Sequence, residues 1–241
     1  MNTMLWEFYA LGYDALCASL PHKKIRESVI RIIGEKKYDT ILDLGCGTGT
    51  MLFSLSRNNE VSKMVGIDFT WTMIAICQLK QLLWQRANLH FMRKSINNLD
   101  FISESSIDIV YSINTLFALP HPATTLTKVS KIIKDDGVVV LALPTEKFSF
   151  TKMAKEHISL LTKLTLINQI LNFGANLLLL PLWLIVGIAN LFISLKEKRG
   201  SYTTYDKKKV IAVIDESELY LKEMIEILSG QMMIIKLGKN K

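Results

Sequence analysis

The chain has few cysteines, and none at the spacing of a metal site. Cys17, Cys46 and Cys77 are all there are, an odd number that builds no disulfide framework. This excludes a zinc-stabilised fold and a disulfide-stapled secreted one, and a reducing cytosol is the expected compartment. The start of the chain lacks the basic segment and apolar core of a cleavable leader, since Glu7 and Asp14 interrupt LWEFYALGYDAL. No internal repeat is present. Acidic residues are outnumbered by Lys and Arg, 22 to 29, for a formal net charge of +7, which suits an anionic membrane surface or a nucleic acid. Aromatics are not interleaved with the basic residues as stacking platforms, so no nucleic acid is expected as a partner. From Leu164 to Leu195 charge is missing altogether.

The most informative segment is ILDLGCGTGT, Ile41 to Thr50. Ile41, Leu42 and Leu44 form a short apolar strand, Asp43 lies near its carboxyl end, and Gly45, Gly47 and Gly49 follow before MLFSLS resumes a helical pattern. A strand, tight loop and helix start of this kind needs glycine for the turn and for close approach of a ligand to the backbone. The spacing decides which ligand. A dinucleotide loop places its third glycine where this chain has Thr50, which disfavours NAD, and no lysine stands in P-loop register. A second apolar strand, Met64 to Ile67, ends in Asp68, at the distance beyond the loop where a carboxylate meets a ribose diol.

The run Asp43-x-Gly45-x-Gly47-x-Gly49 resembles the first motif of the class I S-adenosylmethionine-dependent methyltransferases, and the likeness extends from about Trp6 to Leu237. It implies an α/β fold, a doubly wound, mostly parallel seven-stranded sheet with a closing antiparallel hairpin, and S-adenosylmethionine as cofactor. In that family the glycine loop with Cys46 passes under the methionine moiety, and Asp43 helps to hold its ammonium. Asp68 is matched to the ribose and Phe69 to the adenine face. Ser95 stands where many members carry an Asp for the adenine amino group, with Ile96 offering its backbone amide. Ser112, Ile113 and Asn114, at the exit of the fourth strand in IDIVYSINTLFALPHP, would flank the transferable methyl group. KVSKIIKDDGVVVLALP resembles the next helix, Asp-Gly turn and fifth strand. Tyr13 and Asp14 match a pair that closes over the cofactor, and His121, just after the fourth strand, is a candidate base, as is Tyr13 a candidate catalytic group. No metal is implied. SINT, Ser112 to Thr115, replaces the N-P-P-Y-like tetrad of nucleic-acid methyltransferases.

One domain of residues 1–241 is expected. Residues 1–22 form an amino-terminal cap with an apolar stripe from Leu5 to Leu16, followed by Pro21 and a basic helix from Lys23 to Ile33. Residues 147–200 form a helical apolar insertion, and residues 201–241 a helix and two strands that complete the sheet. The stretch Leu177 to Leu195 is long enough to span a bilayer, for which about 20 apolar residues suffice. Yet the strands after it must rejoin the sheet, and Lys152, Lys155 and Lys163 before it and Lys196, Lys198, Arg199 and Lys207 to Lys209 after it both prefer the cytoplasmic face. Asn168, Gln169, Asn172, Asn176 and Asn190 are costly on a lipid-exposed span, and Gly174 and Pro181 offer breaks. The expectation is a monotopic pair of helices on the inner face of a membrane; a soluble lid and a true span are the alternatives. The expected reaction is methyl transfer to a lipophilic acceptor such as a phospholipid amine or quinone precursor. A noncatalytic S-adenosylmethionine-binding regulator or membrane scaffold is the rival reading.

Overall fold

A computed structural model describes residues 3–34, 38–58, 61–198 and 202–240. Seven strands make one sheet: β1 Thr40–Leu44, β2 Lys63–Asp68, β3 Leu89–Arg93, β4 Ile107–Ile113, β5 Ile133–Pro144, β6 Leu219–Ile227 and β7 Met232–Lys239. Their order across the sheet is β3-β2-β1-β4-β5-β7-β6. The first five run parallel, and β7 enters antiparallel between β5 and β6. The inner strands are apolar on both faces because helices cover both, as a parallel sheet requires. Leu42, Ile67 and Val110 face α5 (Pro122–Ile132) and α9 (Lys207–Asp215). Ile41, Met64 and Ile109 face α2 (Leu20–Ile33), α3 (Thr50–Asn58) and α4 (Trp71–Trp84). The strand order reverses between β1 and β4, which puts the crevice for a ligand at the carboxyl ends of those strands.

Two boundaries differ from the sequence reading. The basic helix α2 begins at Leu20, because Ser19 accepts a hydrogen bond from the His22 amide at 3.4 Å and Pro21 suits a first turn. The expected Asp-Gly turn after α5 is instead a wide bulge inside β5, since Ile133 pairs with Ile107 but Val138 pairs with Ile109. Asp108 holds it in place. Its carboxylate accepts from the Asp39 and Thr40 amides at 3.1 and 2.9 Å and from Lys134 Nζ at 2.7 Å. Burial opposes that charge, but the Lys134 ammonium and the two amides outweigh it and hold the Asp108 carboxyl below its usual range.

The cap is α1, Thr3–Ala18, laid across the carboxyl edge of the sheet. Glu7 accepts from the Trp71 and Thr72 amides, both at 2.8 Å, and so caps the start of α4. Asp14 pairs with Lys80 at 2.7 Å and accepts from Thr48 at 2.6 Å. The opposite side of α1 packs on the insertion, where Leu5 and Tyr9 join Val186, Ala189 and Ile193 in a separate apolar cluster.

The insertion begins with α6, Phe150–Leu161, and its uncharged stretch forms a pair of helices, α7 Leu166–Leu178 and α8 Leu180–Lys198. Among the described residues no single helix is long and apolar enough to cross a membrane; α7 and α8 to Leu195 pass that test only together, and they are bent by 71°. The break falls at Leu179, not at Gly174 or Pro181. Gly174 lies inside α7 with open space around it, and Pro181 sits in the first turn of α8, where its missing N–H removes no helical bond. The side chains of Lys196 and Lys198, together with Arg199 and Gly200 at the expected end of the insertion, lie outside the described residues.

Gly12 is the contact point of cap and insertion. A Cβ there would stand 2.8 Å from the Leu182 carbonyl and 2.9 Å from Val186 Cγ2. Helix propensity alone makes Gly→Ala favourable by about 1 kcal/mol. We expect Gly12→Ala to lower the thermal midpoint instead, because backbone rather than a flexible side chain must move. A raised midpoint would show that α1 and α8 are not in register as described.

Candidate functional site

The glycine loop follows β1 with Gly45, Gly47 and Gly49 at φ of +76°, +53° and +75°, a backbone region that only glycine enters without strain. The loop is tied down by its own bonds. The Gly45 and Cys46 amides donate to the Ile67 carbonyl at 2.8 and 3.0 Å, and the Gly47 amide donates to Asp68 Oδ2 at 3.0 Å. The space a Cβ would take at these glycines belongs to neighbouring side chains: Thr115 at Gly45, the Tyr13 ring at Gly47, and Phe91 with Cys77 at Gly49. Close packing of the chain on the loop is therefore a reason for glycine that the sequence did not reveal.

Asp43 and Asp68 stand at the ends of neighbouring strands with 3% and 7% of their surface exposed. Burial pushes the Asp43 carboxyl well above its ordinary range, against the Tyr111 hydroxyl beside it, and the nearby Asp68 charge adds to the rise. Asp68 is raised as well, again by burial, although it accepts amide bonds from Thr70 and Gly47. Neither carboxylate makes an ion pair among the described residues; the lysine nearest the loop, Lys80, is held by Asp14 and the Thr48 carbonyl. Two buried acids with no protein cation between them suit a ligand that carries positive charge.

The remaining expected residues are distributed unevenly. Asn114 lies at φ +54° on the exit of β4; its amide donates to Ala142, and its side-chain oxygen is buried with no partner among the described residues. Ser112 is fully buried, and its hydroxyl donates to the Leu44 carbonyl at 2.8 Å, so it braces β1 rather than offering a free donor. Ser95 is exposed and its oxygen accepts the Asn97 amide in a turn, while Ile96 is buried beside it. Phe69 is half-buried, with its carbonyl accepting from Arg93. Tyr13 packs over Gly47 and edge-on to Tyr9, with centroids 5.5 Å apart. Burial raises the Tyr13 hydroxyl well above its ordinary value, which makes it a proton donor and not a base. His121 is exposed at the start of α5, away from the wall of the cavity described next.

That cavity, of about 890 Å³, lies between the cap, the exits of β4 and β5 and the three insertion helices. Asn114 and Tyr13 border it, and Trp6, Phe117, Phe148 and Trp183 supply much of its wall. Two histidines missed in the sequence, His22 and His157, face it. No motif marks either one; they reach one cavity because α2 packs on α6.

A family model described as a methyltransferase domain matches residues 35–175. The demethylmenaquinone methyltransferase of Lactococcus lactis is 30% identical over 128 residues, 53% of this chain and 50% of its own. The malonyl-[acyl-carrier protein] O-methyltransferase of Bacillus cereus is 31% identical over 137 residues, 55% of this chain and 48% of its own. The chain thus spans about half the length of the curated relatives it matches. A SAM dependent methyltransferase from Aquifex aeolicus shares the fold, with a TM-score of 0.60, 14% identity and 88% of each chain covered. The matched residues run from before β1 to within α7 and so include the glycine loop, both buried carboxylates and Asn114. This chain belongs to the methyltransferase domain family.

Proposed function

We propose that this protein transfers a methyl group from S-adenosylmethionine to a lipophilic acceptor, working at the face of a membrane. The observation that carries the reading is the large cavity walled by apolar side chains that meets the glycine-loop crevice at Asn114 and Tyr13. Asp43 would take the cofactor's ammonium, Asp68 its ribose diol and Phe69 its adenine face, with Gly45, Cys46, Gly47 and Gly49 beneath the methionine moiety. The bound cofactor supplies a methyl group already activated on a sulfonium. The chain's own part is to orient and to exclude water. Glu7 and Asp14 fasten α1 over the loop, and Tyr13 closes on Gly47. Holding acceptor and methyl in line is worth about 7 to 11 kcal/mol when fully realised.

The membrane part of the proposal rests on the outer surface of α7 and α8. Leu166, Phe173, Leu178 and Leu184 are 71, 69, 84 and 67% exposed, a patch larger than scattered surface leucines make. Lys152, Lys155 and Lys163 are exposed just before it, which suits anionic headgroups. The other face of α8 is buried on the cap, so the helix lies against the enzyme while its outer side meets lipid.

Three outcomes are expected. Calorimetry should show binding of S-adenosylmethionine and not of NAD, and Asp68→Ala should weaken it by about 1.5 to 3 kcal/mol, as for a hydrogen bond to a charged group; unchanged affinity would remove Asp68 from the site. Asp43 supplies a pH signature. An unfolded aspartate ionises near 3.8 and the folded one higher, so the stability contributed by its neutral form is complete below 3.8 and is lost as pH rises through the folded value. A cationic ligand reverses the shift. Binding should therefore release protons and strengthen as pH rises toward the folded value, as read from heats in buffers of different ionisation enthalpy; heats independent of buffer at every pH down to about 5 would show that Asp43 does not change its protonation on binding. Lastly, the protein should pellet with anionic liposomes, with salt weakening the binding only in part. Leu178→Asp with Leu184→Asp should release it without unfolding it, and a lipid extract incubated with labelled cofactor should yield a labelled product. Failure to pellet at any salt would leave the insertion a soluble lid.

A further inference from the structure

Among the described residues the cavity wall contains no Asp, Glu, Lys or Arg. Its polar groups are sparse, and most are engaged with each other. Tyr9 donates to Asn190 at 3.3 Å, His157 is bonded to Asn172, and Asn176 links Asn172 to the Trp183 indole at 2.8 and 3.1 Å. His22 is different: its backbone amide is held by Ser19, but its ring nitrogens make no hydrogen bond to the described residues. Burial, reinforced by the Arg26 guanidinium, lowers its pKa to about 4, so the ring is neutral at physiological pH. That guanidinium is itself fixed on the Cys17 carbonyl at 2.7 Å.

The wall is also asymmetric. Ile158, Phe173, Leu180 and Leu191 line the cavity and are at the same time 60 to 69% exposed, so its mouth is apolar and formed by the insertion. Among the polar groups, the His22 ring and the Asn114 side-chain oxygen, neither hydrogen-bonded to the described residues, come from α2 and the β4 exit instead, and the Tyr13 hydroxyl comes from α1. We propose that the acceptor is an uncharged amphiphile whose hydroxyl head donates a hydrogen bond to His22 while its apolar tail leaves through the mouth between α6, α7 and α8. A carboxylate, phosphate or ammonium head is disfavoured, because burying an ion where no opposite charge meets it costs several kcal/mol. A cation would in addition be repelled by Arg26. A hydroxyl needs only an acceptor, which a neutral imidazole provides. This assignment deepens the proposed methyl transfer and rests on it, but it is tested by binding alone, so that its failure leaves the transfer reaction standing.

The test uses the full chain and four probes: 4-nonylphenol, its methyl ether 4-nonylanisole, dodecylamine and dodecyl phosphate, titrated by tryptophan fluorescence with Trp6 and Trp183 on the wall. The phenol should bind about three- to tenfold more tightly than the ether, the span of one net hydrogen bond, and both should exceed the charged probes. His22→Leu should abolish the preference for phenol over ether and leave ether binding unchanged, whereas His157→Gln should keep the preference. His22→Gln, which retains an acceptor oxygen, should restore part of it. Equal binding of phenol and ether by the unaltered protein overturns the proposal without any variant. So does a charged probe that binds as tightly as the phenol, or a preference that survives His22→Leu.

Discussion

Two carboxylates buried side by side, Asp43 and Asp68, set the terms for everything built around them. Each is held above its ordinary pKa by burial, and the Asp68 charge adds to the cost of ionising Asp43. The chain answers with backbone dipoles rather than with a lysine: the Gly47 and Thr70 amides point at Asp68, and the Tyr111 hydroxyl lies beside Asp43. Amides compensate the charge only in part. The remaining deficit is what a cationic ligand would relieve, and the left-handed glycine backbone brings the Gly47 amide within reach of Asp68.

The cap and the insertion solve a second problem, that of covering the carboxyl edge of the sheet. Glu7 and Asp14 are tied to the cofactor side, at α4 and the loop, while Leu5 and Tyr9 are tied to α8. The helix α1 is therefore one rigid link between loop and insertion, and the close approach at Gly12 fixes its distance from α8. A shift of the insertion on a surface would be felt at Tyr13 over Gly47. The cavity lies between this link, the exits of β4 and β5 and the insertion, and its mouth is apolar.

Much of this was readable in the residues. Alternating apolar strands and helices give the doubly wound sheet, and the glycine spacing gives the crevice, because hydrophobic period and positive φ are local properties. The antiparallel return of β7 was legible from two short strands around a turn. The boundaries that failed were those set by distant partners. Where an Asp-Gly turn is expected there is a bulge in β5, beside which Asp108 bonds both Lys134 and the start of β1, and Ser112 directs its hydroxyl into the sheet, to Leu44, because Leu44 lies alongside it.

The sequence by itself determined the order of elements, the left-handed glycine loop, the two acids at strand ends and the uncharged stretch, since each depends on residues close together in the chain. It did not determine which polar side chains line the cavity. His121 is near the fourth strand in sequence but exposed in space, whereas His22 and His157, 135 positions apart in the numbering, share one cavity wall. Packing of α2 on α6 and of α1 on α8 decided that, and it also decided that the apolar stretch would bend at Leu179 and bury only one face. Such contacts are closed by hydrophobic burial between segments far apart in sequence, which no local pattern records.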